Sequence, residues 1–297
     1  MNLLIYGSRG WIGSQFLEVC LKEKENGLCF YQGNARVNNI EELKKEIDQV
    51  NPTHIVSFIG RTHGTIGNTT YSTIDYLEQK GKLVDNIRDN LFSPLSLAIL
   101  CKERNIYYTY LGTGCIFKFD DQHPFGEEEN GFEEASKPNF FGSSYSIVKG
   151  FTDQLMHEFE NNVLNVRIRM PIVNYHHPRN FITKITTYEK ICSIPNSMTY
   201  LPELLPCLLQ MIKESRTGTI NLTNPGLISH DEILELYKKH VDASFEWKNF
   251  SMEEQNQILA SERSNNYLNT DKLQEWSPGV LHIKETLIKC FENWHTK

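Results

Sequence analysis

A short apolar strand runs directly into a glycine-rich turn at the start of the chain, and this junction constrains the fold more than any other feature. Residues Asn2–Tyr6 have the pattern of a buried strand, and Gly7, Gly10 and Gly13 punctuate the segment that follows. A strand, a glycine turn and a helix in this order form the phosphate-binding corner of a dinucleotide-binding βαβ unit. The first glycine permits a tight turn, the second lets backbone approach a pyrophosphate, and the third lets helix pack on strand.

Strand and helix patterns alternate through the first two thirds of the chain. This alternation predicts an α/β fold, a Rossmann-like doubly wound parallel sheet with helices on both faces. Pro94 lies inside the third helical pattern and predicts a kink or a late helix start there. The strand-like runs are Asn2–Tyr6, Leu28–Gln32, His54–Ile59, Tyr107–Leu111 and Leu164–Met170, and the helical patterns lie near Trp11–Lys24, Ile40–Val50, Val84–Arg104 and Ser143–Glu160.

The pattern changes after Pro171. Residues 174–180 are polar and predict a loop, whereas Leu201–Glu214 and Thr219–Leu222 predict a helix and a strand that return to the sheet. Beyond them only helices and loops are predicted, one of which opens with a capping box at Ser229. We therefore expect a dinucleotide-binding domain at 1–173, joined by 198–222. A smaller, mostly helical substrate-binding region at 174–197 and 223–297 should cap the carboxyl edge of the sheet, where ligands bind in such folds.

The composition restricts the class of protein and its surroundings. No apolar run in the 297 residues approaches the ~20 that a bilayer-spanning helix requires, and the apolar start lacks a basic leader. We expect no membrane segment and no signal peptide. Seven cysteines without a CxxC pair disfavour a metal centre and a disulfide framework, and they indicate a reducing, cytoplasmic setting. The net charge of −7 disfavours nucleic acid as a partner and requires a local basic pocket for any anionic substrate.

The end of the second strand pattern indicates which nicotinamide dinucleotide binds. An acidic residue there would bind the adenine ribose of NAD, but the segment Leu28–Arg36 has none. Arg36 and Arg9 are suited to a 2′-phosphate, although both have the alternative of being solvated surface arginines. We therefore expect NADPH. The predicted cofactor-binding residues are Gly7, Arg9, Gly10, Trp11, Ile12, Gly13, Arg36, Gly60, Arg61, Thr62, Tyr145 and Lys149.

Tyr145 and Lys149 are spaced four residues apart at the start of the helix that follows the fourth strand pattern, so they share one helix face. An adjacent ammonium lowers the pKa of a tyrosine and lets it act as a general acid at a carbonyl beside a nicotinamide. The spacing alone is common on solvated helix faces, but here it accompanies the glycine turn. Thr113 is placed to hydrogen-bond the substrate oxygen. Cys115 has two interpretations, an acid–base thiol or a small buried side chain.

These motifs resemble the extended short-chain dehydrogenase/reductase family. Within it the chain is similar to the dTDP-4-dehydrorhamnose reductases, and more closely to the plant-type bifunctional UDP-4-keto-6-deoxyglucose 3,5-epimerase/4-reductases. The resemblance spans nearly the whole chain, and its most specific part is Pro178–Lys184. The segments that carry it are Thr113–Phe117, Lys137–Phe140, Tyr145–Ser146, Pro178–Lys184, Leu201–Pro206, Thr223–Gly226 and Arg263–Asn266.

The resemblance implies an enzyme that binds a UDP-sugar and makes UDP-β-L-rhamnose from UDP-4-keto-6-deoxyglucose with NADPH. It implies Cys115 and Lys184 as the acid–base pair for 3,5-epimerisation, although Lys184 by itself has the pattern of a surface lysine. It also implies a homodimer and a separate 4,6-dehydratase that supplies the substrate. Two alternatives remain, a reductase that acts on an already epimerised dTDP- or UDP-sugar and a non-catalytic NADP-binding regulator. The implied substrate contacts are Asn139, Asn180, Arg263 and Asn265, of which Arg263 could instead form a surface ion pair.

Overall fold

Six parallel strands form one sheet in residues 1–295, the part of the chain that the computed structural model describes. The spatial order is β10-β7-β6-β3-β1-β2, and the register pairs Leu4 with Tyr31 and Ile5 with Val56. The strands are β1 Asn2–Tyr6, β2 Cys29–Gln32, β3 His54–Ser57, β4 Gly64–Ile66, β5 Thr69–Tyr71, β6 Tyr107–Thr113, β7 Val163–Ile168, β8 Pro171–Ile172, β9 Thr199–Tyr200 and β10 Gly218–Asn221. The predicted α/β class is confirmed, and two short pairs, β4-β5 and β8-β9, add to it.

Helices alternate with the first strands and then dominate the C-terminal part of the chain. The α-helices are α1 Trp11–Lys22, α2 Ile40–Val50, α3 Leu83–Ile87, α4 Ser93–Glu103, α5 Ser144–His157, α6 Phe181–Ile185, α7 Leu201–Lys213, α8 His230–His240, α9 Met252–Ile258, α10 Asp271–Trp276 and α11 Ile283–Glu292. The capping box predicted at Ser229 is present. Ser251 and Glu254 form a second one, which the sequence analysis did not identify.

The predicted interruption at Pro94 is a π-helical turn, Arg88–Phe92, which joins α3 to α4 without a break in the helix. Proline has no N–H to donate to the carbonyl of Asn90, four residues earlier. Thr152 of α5 donates its hydroxyl to that carbonyl at 2.7 Å, and the Ser93 hydroxyl satisfies Arg88 O at 2.8 Å. Side-chain donors thus replace the missing backbone bond, and the helix does not start late.

Two compact units make up the chain. The first comprises Met1–Thr113, Ser143–Arg167 and Leu205–Ile220, and the second comprises Gly114–Gly142, Ile168–Leu204 and the chain from Asn221 onward. The division differs from the predicted boundaries mainly at Gly114–Gly142, which we expected in the first domain. This segment belongs to the second unit because Phe132 exchanges backbone hydrogen bonds with Tyr267 and Asn269.

Each unit has its own apolar core. In the first unit the buried faces of α2, α4 and α5 pack on the strands, with Leu4, Tyr108 and Leu97 among the fully buried side chains. In the second unit α6, α8 and α11 bury their apolar faces together, around Ile182, Ile233 and Leu287. Within residues 1–295 no helix has the length and apolar character needed to cross a membrane. The seven cysteines, all in this part of the chain, form no disulfide.

His230 is a titratable group enclosed by the second core. It occupies the first position of α8, and its Nδ1 accepts the N–H of Ile194 at 3.1 Å. Burial lowers the pKa of His230 to about 4, because the charged imidazolium would lose its hydration. The folded chain therefore holds this histidine neutral at pH values where the unfolded chain protonates it.

This difference predicts that the chain loses stability in weak acid. The free energy of unfolding should include a contribution from neutral His230 that is complete above the unfolded pKa of about 6.5 and is lost as the pH falls to about 4, by about 3 kcal/mol in total. His230→Asn keeps an acceptor for Ile194 and should flatten this part of the profile. Urea unfolding at pH 7.0, 5.5 and 4.5 measures it, with His176→Asn, at an exposed position, as control. Equal acid sensitivity in wild type and His230→Asn would contradict the assignment.

Candidate active site

The glycine turn in the first unit has the conformation that its sequence predicts. Gly7 has a φ of +73°, and a Cβ on it would lie 2.8 Å from the carbonyl carbon of Phe58, so both the torsion and the space require glycine. A Cβ on Gly13 would overlap the carbonyl oxygen of Gly7, which explains how closely α1 packs on the turn. Gly10 caps α1 without a side-chain acceptor, and Trp11 and Ile12 begin the helix half-buried. The surface of this turn is therefore formed by backbone groups and by the N-terminus of α1.

The loop after β2 carries the two predicted phosphate arginines. Arg9 Nη2 donates to Asn34 Oδ1 at 2.7 Å, so the glycine turn and this loop are joined, and Arg36 is exposed. The sequence analysis overlooked Glu46 of α2. Its carboxylate accepts the N–H groups of Asn34 and Ala35 at 2.7 and 3.1 Å and thereby shapes the loop. No acidic side chain was expected here because Glu46 comes from a helix twelve residues further along the chain.

The segment Gly60–Thr62 follows β3 and is clamped by Asn90. The Asn90 side chain accepts the N–H of Arg61 and donates to its carbonyl, both at 2.9 Å. Asn90 lies in the π-helical turn and is buried, and its amide also donates to Asn86 at 2.8 Å. The four-residue spacing of Asn86 and Asn90, which places both amides on one face of the helix, was a signal of a buried polar function that no sequence prediction used.

Thr113, Tyr145 and Lys149 are all buried in the first unit. Thr113 ends β6, and Tyr145 lies in the first turn of α5, whose N-cap Ser143 accepts the N–H of Ser146 at 3.0 Å. The burial of Tyr145 and Lys149 contradicts the alternative of a solvated helix face. Their catalytic roles stay predictions at this stage.

Tyr110 is a residue of this site that the sequence analysis missed. Lys149 Nζ donates to its hydroxyl at 2.5 Å and to the Leu111 carbonyl at 3.3 Å. Burial, and secondarily the nearby Tyr145, raises the pKa of Tyr110 well above its usual value, so its hydroxyl stays neutral. Strand β6 thus supplies both Thr113 and the group that orients Lys149. One tyrosine among several in a strand gives no sequence signal for this task.

Lys184 of the second unit has the environment of a functional amine. It lies on α6, is half-buried, and its pKa is lowered by burial first and then by the charges of Arg179 and Arg263. This partial burial disfavours the alternative of a fully solvated surface lysine. A lysine with a lowered pKa exchanges protons near neutral pH more readily than an ordinary one. Cys115, also in this unit, is partly exposed and lies 3.8 Å from Arg169.

Two predicted substrate contacts, Asn180 and Asn139, form hydrogen bonds to the local backbone. Asn180 is fully buried; its amide donates to Val173 O and Tyr175 O, and its oxygen accepts from Ile182 N. The Asn139 amide donates to the Lys118 carbonyl and its oxygen accepts the N–H of the same residue. Both side chains shape the loops around the site, because each matches a stretch of backbone that has no strand partner. The sequence identified the positions but not this use of them.

Arg263 and Asn265 alternate with buried neighbours in the second unit. Both are half-buried, whereas Ser264 and Asn266 between and after them are buried. Arg263 Nη1 donates to Ser261 O at 3.1 Å and to its Oγ at 2.8 Å, and Asn265 Oδ1 accepts from Asn196 at 2.9 Å. The buried side chains of Ser264 and Asn266 anchor the segment, and Arg263 and Asn265 lie on its more exposed face. No group of acidic, histidine or cysteine side chains within residues 1–295 is arranged to hold a metal ion.

Comparison with known proteins agrees with this geometry. The L780 UDP-rhamnose synthase of Acanthamoeba polyphaga mimivirus is 50% identical over 99% of both chains, with a TM-score of 0.92. A bifunctional dTDP-4-dehydrorhamnose 3,5-epimerase/reductase of Arabidopsis thaliana is 42% identical over 97% of this chain and 91% of its own length. This chain belongs to the extended short-chain dehydrogenase/reductases. The family that the sequence motifs indicated is confirmed, in the group of the rhamnose-forming epimerase/reductases.

A more distant structure supports the fold alone. The dTDP-4-dehydrorhamnose reductase of Bacillus anthracis, solved in complex with NADP, covers 98% of this chain at 19% identity with a TM-score of 0.77. No family model matches the chain. The predicted doubly wound architecture is therefore shared well beyond the range of sequence similarity.

Proposed function

We propose that this chain is a bifunctional enzyme that epimerises UDP-4-keto-6-deoxy-D-glucose at C3 and C5 and reduces its C4 ketone with NADPH to give UDP-β-L-rhamnose. One observation carries the proposal. The chain holds Thr113, Tyr145 and Lys149, all buried, in one unit, and a partly exposed Cys115 and a half-buried Lys184 that could serve as an acid–base pair in the other. A reductase alone needs only the first set, and a regulatory binding protein needs neither. A 4,6-dehydratase activity supplies the keto sugar in this proposal.

The first unit fits a nicotinamide dinucleotide. Gly7 and Gly13 let the turn and α1 pack closely, because a Cβ at either would overlap backbone, and the N-terminus of α1 has no acidic residue in its first turn to compete for an anion. Arg9 and Arg36 supply positive charge at the loop after β2, as a ribose 2′-phosphate requires. Gly60, Arg61 and Thr62 complete the cofactor-binding set. Bound NADPH supplies the hydride for reduction at C4.

Tyr145 is the proton donor to the C4 oxygen in this proposal. Thr113 donates a second hydrogen bond to that oxygen and so stabilises the negative charge that develops on it. The Lys149 ammonium, held by the Tyr110 hydroxyl, favours loss of the Tyr145 proton and is placed to bind the nicotinamide ribose. Burial of Thr113, Tyr145 and Lys149 excludes water and so strengthens their hydrogen bonds and charge interactions.

Epimerisation uses the second unit. The C4 ketone acidifies the hydrogens at C3 and C5, so inversion needs a base on one face of the sugar and an acid on the other. Cys115 accepts a carbon-bound proton, and Lys184 donates one from its ammonium to the opposite face. Arg179 and Arg263 make Lys184 a better proton donor because their charges oppose its own. Arg263 and Asn265 also contribute to binding of the nucleotide-sugar diphosphate.

Substitutions should separate the two activities. Cys115→Ser and Lys184→Ala should each lose deuterium incorporation at C3 or C5 when the keto sugar is incubated in D₂O without NADPH. Tyr145→Phe should retain incorporation while its reductase kcat falls about 100-fold or more, the usual size of a general-acid effect. Mass spectrometry and NMR of the sugar measure the first result, and NADPH oxidation the second.

Matched controls are available for both activities. Cys29→Ser and Tyr31→Phe change exposed side chains of β2 and should leave epimerisation and reduction unchanged. If the wild type reduces the keto sugar only after epimerisation by another protein, the chain is a reductase alone. If Cys115→Ser and Lys184→Ala both exchange deuterium at the wild-type rate, the assignment of this acid–base pair is wrong. Parallel reactions with UDP- and dTDP-sugars identify the nucleotide.

The loop arginines predict the cofactor preference. Removing a charged hydrogen bond to a phosphate costs about 1.5–3 kcal/mol, so Arg36→Ala should lower the NADPH-over-NADH ratio of kcat/KM about 10-fold or more. Lys45→Ala, at an exposed position of α2, removes a charge from the same region and should leave the ratio unchanged. An unmodified enzyme that turns over NADH as well as NADPH would refute the preference.

Exposed apolar side chains on the first unit support the proposal of a homodimer. They lie on α3, α4, α5 and the π-helical turn, helices that pair across two-fold axes in this family, and self-association would bury them. They are Leu83, Val84, Ile87, Phe92, Ile99, Ile147, Phe151 and Leu155. The partner is a second copy of this chain.

Charges placed on this surface should therefore prevent dimerisation. Val84→Glu combined with Phe151→Glu should convert a dimer into a monomer at micromolar concentration, because two isologous copies would bury four carboxylates. Ile258→Glu, on an equally exposed apolar position of α9, should leave the mass unchanged. Light scattering coupled to size exclusion gives the masses. A wild type that is monomeric at these concentrations would disprove the dimer.

A further inference from the structure

Arg169, which follows β7, has an unusual environment for a buried cation. Its side chain is almost completely buried. Nη1 donates to Gly114 O at 3.2 Å and to Ser264 Oγ at 2.9 Å, and it lies 3.8 Å from Cys115 Sγ. Nη2 donates to Asn196 Oδ1 at 2.5 Å and to Ser264 O at 3.0 Å. The guanidinium is therefore held in one orientation, with one edge toward the cysteine.

The partners of this guanidinium are backbone carbonyls, neutral polar side chains and the Cys115 sulfur. In the described part of the chain none of its hydrogen-bond partners is a carboxylate, and its Nε–H is buried without an acceptor. A guanidinium keeps its charge in proteins, and a buried charge without an opposite one is costly. Such an arrangement is stabilised when an adjacent group becomes an anion.

Two titratable groups face Arg169. Burial lowers the pKa of Arg169, and the charge of Cys115 opposes this fall. His230 is the second group, and its pKa of about 4, lowered by burial and also by Arg169, keeps it neutral at pH 6 and above. Of these two groups, Cys115 is the one in direct contact with the guanidinium, its Sγ lying 3.8 Å from Nη1.

We propose that Arg169 is a positioning residue that holds Cys115 in its thiolate form, ready to accept a proton from the sugar. The inference deepens the proposed epimerase function and rests on it for its catalytic meaning. In the step, the carbon–hydrogen bond of the substrate breaks, its proton forms the S–H bond of Cys115, and the electron pair becomes the enolate. The same guanidinium binds the carbonyl of Gly114, so it also orients the backbone directly before the cysteine.

Alkylation of the unmodified protein tests the proposal without any assay of epimerisation. Iodoacetamide reacts with thiolates, and peptide mass spectrometry follows Cys115 and the exposed Cys29 in the same sample. For a thiol of ordinary acidity the rate should fall roughly 80-fold between pH 9.0 and pH 6.5, the fall in its thiolate fraction. Cys29 should show this fall, and Cys115 should lose less than about 10-fold. An equal fall at both cysteines would overturn the proposal.

Variants of Arg169 separate charge from packing. In Arg169→Gln the alkylation rate of Cys115 should fall between pH 9.0 and pH 6.5 by as much as that of Cys29. Arg169→Lys, which keeps a charge, should give an intermediate fall. The Arg169→Gln variant should incorporate deuterium into the keto sugar slowly at pH 6.5 and recover toward the wild-type rate at pH 9. A purely structural role predicts an equal loss at both pH values and would refute the inference. Full exchange by Cys115→Ser would sink the epimerase assignment instead, whereas the alkylation result would stand.

Discussion

A buried ion pair between Asp153 and Arg167 holds α5, the helix that carries Tyr145 and Lys149, on the sheet of the first unit. Arg167 Nε and Nη2 donate to the two carboxylate oxygens at 2.8 and 2.7 Å, and Asn165 adds a third donor at 2.8 Å. Breaking such a pair by removing one partner costs about 3–5 kcal/mol, because the other charge is left buried and unpaired. Asp153 lies two helical turns after Tyr145 on α5. The ion pair therefore fixes how α5 is rotated about its own axis and where it lies along the sheet. Lys149 can then reach Tyr110 on β6 only in this register.

Arginine and lysine side chains act on individual neighbouring groups in a chain whose net charge is −7. In the second unit Arg179 and Arg263 act on Lys184, and Arg169 lies beside Cys115. Burial and the charges of Arg179 and Arg263 lower the pKa of Lys184, which suits the proton exchange with carbon that we propose for it. In the first unit Lys149 bonds instead to a neutral hydroxyl, so its own charge remains effective toward Tyr145. The electrostatics of the proposed chemistry therefore depend on arginine and lysine side chains whose hydrogen-bond partners are mostly neutral.

Asparagine side chains organise the irregular backbone around these groups. Asn90 clamps the backbone at Arg61, Asn180 shapes the turn that begins α6, and Asn139 closes the loop at Lys118. A side-chain amide has a donor and an acceptor in the same plane, so it can replace a missing strand partner for a peptide group. Residues that a family motif identifies as ligand contacts can thus serve the site by holding its backbone in place. Asn180 and Asn139 are examples, since each bonds to backbone through both its amide and its oxygen.

The sequence by itself determined the doubly wound fold, the family, the glycine turn and the Tyr145–Lys149 pair. These follow from local rules, because apolar periodicity, positive φ at Gly7 and four-residue helical spacing are properties of short segments. Only the tertiary structure decided which groups surround each functional side chain. Tyr110 beside Lys149, Arg169 beside Cys115, Glu46 under the loop after β2 and the place of Gly114–Gly142 in the second unit all join residues distant in the chain. Such contacts depend on how buried polar groups satisfy one another after the elements pack, and no local pattern encodes that choice.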